Sequence, residues 1–109
     1  MQGAGQALVE LVARNPEFDA VMFAAQAQAV GAILECNRRN WNIPQKIAIA
    51  GFDDNDIANQ ITPRLMTVRI PRYEIGQAAA EVVFQRLVGH TIKPRHRDLG
   101  FEIVTRETT

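Results

Sequence analysis

The chain has 109 residues, 47% of them hydrophobic, with 12 basic and 12 acidic side chains. That length fits one small domain or a piece of a larger one, and the apolar content supports a packed core and excludes a disordered chain. Balanced charge leaves no electrostatic footprint for a nucleic-acid backbone, and a single cysteine excludes an internal disulfide.

Neither a charged start leading into an apolar stretch nor about 18 consecutive apolar residues occurs, so the chain reads as soluble and cytoplasmic, without a membrane partner. Residues 1–60 carry four basic and seven acidic side chains, and residues 61–109 carry eight and five. No block of one sign forms, so the asymmetry reads as two differently solvated faces and not as a binding patch.

In chain order, residues 5–14, "GQALVELVAR", place Ala7, Leu8, Leu11 and Val12 at helical spacing, and Pro16 stops the pattern. Residues 18–25, "FDAVMFAA", form a short apolar run of the kind that makes a fully buried parallel strand. From Gln26 to Arg39, Ala29, Val30, Ile33 and Leu34 repeat at helical spacing, with Arg38 and Arg39 where cations suit the helix dipole. Cys36 falls inside this helix without a nearby His and is expected to be an inert, packed thiol.

"NWNIPQ" is a loop by its Asn and Pro content, and "KIAIAGF" is a second buried strand. Asp54 or Asn55 can cap a short helix over "DIANQI", Pro63 closes it, and "LMTVRI" reads as a third strand. Residues 73–88 then put Ile75, Ala78, Ala79, Val82, Val83 and Leu87 on one stripe, Gly89 ends the helix, and "GFEIVTRE" is a final strand. This alternation predicts an α/β fold, an open parallel sheet with right-handed crossovers and helices on both faces. About four strands are fewer than the usual five or six, so part of a larger unit is expected.

Asp53, Asp54 and Asp56 follow the second strand, and the carboxyl ends of strands are where open α/β sheets bind ligands. A calcium loop is excluded, because no Gly stands sixth from Asp54 and the twelfth position is Leu65, not Glu. A magnesium-dependent phosphoreceiver would need another Asp after the next strand, which here ends "VRIPR". "GAGQAL" lacks the preceding strand and third glycine of a nucleotide loop. His90, His96 and Asp98 lie in a Pro- and Arg-containing connector without nucleophile spacing, and a solvated connector is the better reading than a metal cluster. No enzyme, cofactor or metal is expected. What remains is a carboxylate able to accept paired hydrogen bonds from neighbouring hydroxyls, with an aromatic beside it to cover an apolar sugar face.

The stretches "IPQKIAIAGFDD", "TPRLMTVRIPRYEIGQAAAE" and "DLGFEIVTRETT", in that order, resemble the C-terminal part of LacI/GalR-family transcriptional repressors. "VRIPRYEIG" and "DLGFEIVTRE" are most similar to gluconate-repressor-like members. The resemblance implies the C-terminal part of a two-lobed, periplasmic-binding-protein-like effector domain in a homodimeric repressor, with a sugar or a sugar acid such as gluconate held between the lobes. Operator DNA would be met only through a helix-turn-helix headpiece, which is not expected within these residues.

On this layout residues 1–109 are one partial effector-binding domain. Residues 1–70 and 102–109 fall in the C-terminal lobe, and residues 71–101 form a segment crossing to the N-terminal lobe. The first acid of the family's "G-[FY]-D-D" matches Asp53, the expected ligand contact, with Phe52 beside it. Asp54 is expected to serve chiefly as a helix N-cap. The family's Asn-Asp pair matches Ala25 and Gln26, of which only Gln26 can hydrogen-bond a ligand. The dimer interface is implied at Val30, Leu34 and Ile61. A sugar-binding protein of a transport system, with the same architecture, is the alternative, distinguished by an export signal upstream.

Overall fold

The eight elements predicted from the sequence occur in the same order, although the burial of one strand departs from expectation. The computed structural model describes residues 2–92 and 96–109, so the connector between His90 and His96 lies partly outside the described residues. Helix α1 (Gln2–Arg14) leads to strand β1 (Ala20–Met22), helix α2 (Gln26–Arg38) and strand β2 (Ala48–Phe52). A single 3-10 turn (Asp56–Asn59), strand β3 (Met66–Arg69), helix α3 (Arg72–Leu87) and strand β4 (Glu102–Val104) follow.

The four strands form one sheet in the order β1-β2-β3-β4. β1 pairs with β2 in parallel with Val21 opposite Ile49, and β2 with β3 in parallel with Phe52 opposite Val68. Two compact units are distinguished, one of Met1–Arg69 with Ile103–Thr109 and the other of Ile70–Glu102.

The core belongs to the first unit. Leu8, Ala29, Ala32, Ile33, Ile47, Ile49 and Leu65 are essentially fully enclosed where α1 and α2 meet the sheet. Two glycines permit that packing. A Cβ on Gly5 would stand 2.9 Å from the Glu35 Cβ and 3.2 Å from the Gly31 carbonyl oxygen, so the glycine of "GAGQAL" serves the approach of α1 to α2. A Cβ on Gly51 would stand 3.1 Å from both the Ala29 Cβ and the Leu65 Cδ2, which sets how closely α2 seats on β2. Cys36 is buried there, and burial, aided by Glu35, pushes its thiol up to about 11, in keeping with an unreactive packed side chain.

The C-terminal segment is tied into the same unit. The carbonyl of the buried Thr108 accepts the Ile49 N–H at 2.9 Å, and its hydroxyl accepts the Met66 N–H at 2.9 Å. These bonds fasten residues after β4 to the starts of β2 and β3.

One burial expectation is corrected. β1 is not fully buried: it has one strand neighbour, and its Met22 is 60% exposed. The apolar stripe of α3 is present and stands uncovered: no residue of that helix is buried, and Leu87 is 80% exposed. Of the residues implied at a dimer interface, Val30 and Ile61 lie in the core cluster. α2 turns Val30 inward with Ala29 and Ile33, and Ile61 is held at the end of the 3-10 turn by its N–H bond to the Ile57 carbonyl. Leu34, 52% exposed, stands on the surface.

Candidate functional site

The site is built where β2 and β3 end side by side. Phe52, half-buried, closes β2 opposite Val68, and the next amide, Asp53 N–H, donates to the Val68 carbonyl at 3.0 Å. Asp53 and Arg69 are therefore the first residues beyond the paired positions of two neighbouring parallel strands. The chain then bends, with φ 103° at Asp53 and φ 52° at Asp54, both positive without being glycine. Aspartate tolerates that region better than most residues, but such positions still cost about 1–3 kcal/mol each and persist only where surrounding contacts over-determine them.

Two sets of contacts hold this turn. The first comes from Gln26, which opens α2 and is 3% exposed. Its Oε1 accepts the Asn55 N–H at 2.6 Å, and its Nε2 donates to the Asn55 carbonyl at 3.3 Å. A side-chain amide offers the donor and acceptor that a backbone peptide needs, so Gln26 pairs with Asn55 as a neighbouring strand would. Both of its polar groups are engaged with Asn55, so it holds the turn through that residue. Gln26→Met keeps the volume and removes both bonds. It is expected to lower unfolding free energy by about 1–3 kcal/mol, the cost of leaving a buried donor or acceptor unpaired, as read by urea denaturation.

The second set centres on Asp54, whose side chain is 6% exposed. Its Oδ2 accepts the Arg69 Nε–H at 2.6 Å. Arg106 Nη2 lies 2.7 Å from Oδ1, an ion contact that is not aligned as a hydrogen bond. Arg106 also donates through Nη1 to the Leu65 carbonyl at 2.8 Å. Burial alone pushes the Asp54 carboxyl up, but the two guanidiniums outweigh it and hold the group below its ordinary value.

Asp54 is thus not the helix cap expected from sequence. The short helix is one 3-10 turn whose N-cap is Asn55, with extended backbone and no side-chain cap bond. The left-handed turn at Asp54 carries its carboxylate to the ends of β3 and of the C-terminal segment instead. Sequence reasoning missed Arg106 and did not connect Arg69 with Asp54. Arg69 stands 15 residues from Asp54, and no local periodicity relates the two.

Asp53 is half-buried at the strand end, directly after Phe52, and Arg69 takes the corresponding position after Val68 on β3. The neighbouring strand ends thus carry a carboxylate, an aromatic and a guanidinium in adjacent positions, residue types that suit a polar, hydroxyl-bearing molecule. Among the described residues no three His, Cys, Asp or Glu side chains gather as a metal site, and no helix is long and apolar enough to cross a membrane.

A family model described as a periplasmic binding protein-like domain matches residues 2–109. The HTH-type transcriptional regulator GntR of Pseudomonas aeruginosa is 38% identical over 105 residues, 96% of this chain and 31% of that protein. The HTH-type transcriptional regulator IdnR of Escherichia coli is 34% identical over 98 residues, 90% of this chain and 30% of that protein. Among solved structures, the transcription regulator GntR from Chromobacterium violaceum superposes with a TM-score of 0.88 at 34% identity, covering 98% of this chain and 40% of that one. A transcriptional regulator CelR–cellobiose complex superposes with a TM-score of 0.88 at 26% identity, covering 97% and 32%. The chain spans about a third of the length of the curated relatives it matches.

Proposed function

We propose, given that this chain belongs to the periplasmic binding protein-like domain family and to its LacI/GalR regulators, that it is the effector-sensing and dimerisation segment of a ligand-responsive transcriptional repressor. The effector is a sugar or a sugar acid such as gluconate. The observation that carries this reading is the strained Asp53–Asp54 turn at the carboxyl end of β2, held from one side by Gln26 and from the other by Arg69 and Arg106. A conformation that costs stability and is fixed by two unrelated sets of contacts is the signature of a pre-formed recognition surface.

In this reading Asp53 accepts hydrogen bonds from effector hydroxyls, Phe52 covers an apolar face of the ligand, and Gln26 keeps the turn in place. No step of covalent chemistry is assigned to the chain, and the relatives compared are named as regulators. Residues 71–101 belong to the family's second lobe. Operator DNA is met through parts of the relatives that lie outside the aligned third, and Leu34 contributes to contact between two copies. Effector binding shifts the balance between two arrangements of the intact regulator by no more than its differential affinity for them.

The test is a chimaera in which this chain replaces the aligned 105 residues of the Pseudomonas aeruginosa regulator. Asp53→Asn in that chimaera is expected to weaken gluconate binding by about 1–3 kcal/mol, roughly fivefold to 150-fold, as measured by calorimetry. Unchanged affinity in a folded variant moves the site elsewhere.

A further inference from the structure

We propose that Arg106, carried by the C-terminal segment, is a positioning residue of the effector site: acting on the Asp54 carboxylate, it sets the Asp53–Asp54 turn and so governs effector affinity. The inference rests on the effector reading above. It adds to that reading a residue from the far end of the sequence which acts through Asp54 and not on the effector itself.

Arg106 stands on a fixed base. The two residues after it are bonded to the chain just before β3: the Glu107 and Thr108 N–H groups donate to the Arg64 carbonyl at 3.1 and 3.2 Å, and the Glu107 carboxylate accepts the Arg64 N–H at 3.1 Å. The bonds of Thr108 to Ile49 and Met66 continue the same seam. The backbone beside Arg106 is therefore tied to β2 and β3, the two strands whose ends carry the site.

One planar guanidinium then joins two places. Nη1 donates to the Leu65 carbonyl at 2.8 Å, and Nη2 lies 2.7 Å from Asp54 Oδ1. The fork is rigid, so the Leu65 bond orients the group that meets Asp54. The carboxylate it meets belongs to a residue with φ 52°, directly after Asp53 with φ 103°. Backbone in that region persists only where contacts over-determine it, and a turn that relaxes displaces Asp53.

Enclosure decides which contact on Asp54 matters most. Arg106 and Asp54 are 12% and 6% exposed, whereas Arg69 is 49% exposed. Water screens a half-exposed pair and hardly reaches an enclosed one, so losing Arg106 removes more of the hold than losing the Arg69 contact. Gln26 grips the turn at Asn55 and cannot replace a contact to the carboxylate.

The experiment is a double-mutant cycle on gluconate affinity, measured by calorimetry in the same chimaera with Arg106→Gln, Asp54→Asn and both together. Arg106→Gln is expected to lower affinity by about fivefold or more, a coupling usual for residues in contact. In the Asp54→Asn background the same change is expected to cost less than about twofold, because the charge through which Arg106 acts is gone. Arg106→Lys, which keeps a cation and loses the fork, is expected to fall between the parent and Arg106→Gln. Equal losses in both backgrounds would mean packing alone and overturn the proposal. If Arg106→Gln fails to fold, the cycle is run with Arg106→Lys, and an affinity equal to the parent's overturns it. Asp53→Asn weakening gluconate while Arg106→Gln does not removes Arg106 from the site and leaves the effector reading standing. A parent chimaera that binds no gluconate, or one whose affinity Asp53→Asn leaves unchanged, overturns the effector reading and this role together.

Discussion

Asp54→Ala is expected to lower the free energy of unfolding by about 2–4 kcal/mol. Deleting one member of an enclosed ion cluster leaves its partner's charge buried, which costs about 3–5 kcal/mol where the enclosure is complete. Arg106, 12% exposed, is left in that state, while the half-exposed Arg69 recovers water and reduces the total. The loss should depend on pH. The folded-state pKa of Asp54 is lowered, so its contribution is fully present above its unfolded value near 4 and disappears as pH falls through the lower folded value. Urea denaturation of the parent and the Asp54→Ala variant should therefore give a wide gap at pH 7 that narrows below pH 4. A gap that is constant down to the acid limit would mean that the carboxylate's ion pairs contribute nothing and that the loss is one of packing.

The chain is also expected to self-associate in solution through α3. No side chain of that helix is buried, and Tyr73, Val83, Phe84, Leu87 and Val88 all stand exposed. An open cavity of about 670 Å³ lies along the same helix, lined by Ile75, Ala79, Val82, Val83 and Leu99 among others. Full burial of a large apolar side chain contributes about 1.5–3 kcal/mol before the cost of bringing two chains together, so a contact that covers most of this face favours association. Patches of this kind are uncommon on monomeric proteins. Light scattering should give a mass above that of the monomer, and Phe84→Glu with Leu87→Glu should return it to the monomer. A parent chain with the mass of the monomer would show that this face is satisfied without a partner.

The order of elements was legible because helical spacing and short apolar runs are local signals. Ala29, Val30 and Ile33 announce a helix wherever its buried face is directed, and "KIAIAGF" announces a strand. Asp53 was legible as a strand-end carboxylate for the same reason. Burial was less so. "FDAVMFAA" reads identically whether one strand or two lie beside it.

The held turn was not legible at all. Asp54 precedes a short helix, and local chemistry there favours a cap. Its actual partners, Arg69 and Arg106, are brought to it only by strand pairing and by the return of the C-terminal segment. Gln26 had the hydrogen-bonding capacity expected of it, but folding spends that capacity on Asn55, 29 residues away. The left-handed φ of Asp53 and Asp54 leaves no mark that distinguishes them from other aspartates in sequence.

The central claim is that this segment senses an effector and that Asp53 is the group that does so. Operator affinity of the Pseudomonas aeruginosa chimaera, followed by fluorescence anisotropy with and without gluconate, tests it most directly. The account predicts that gluconate changes operator affinity by about tenfold or more, within the usual range of allosteric coupling, and that Asp53→Asn abolishes the change at the same gluconate concentration. Operator binding that is intact in the chimaera yet identical with and without gluconate would contradict it.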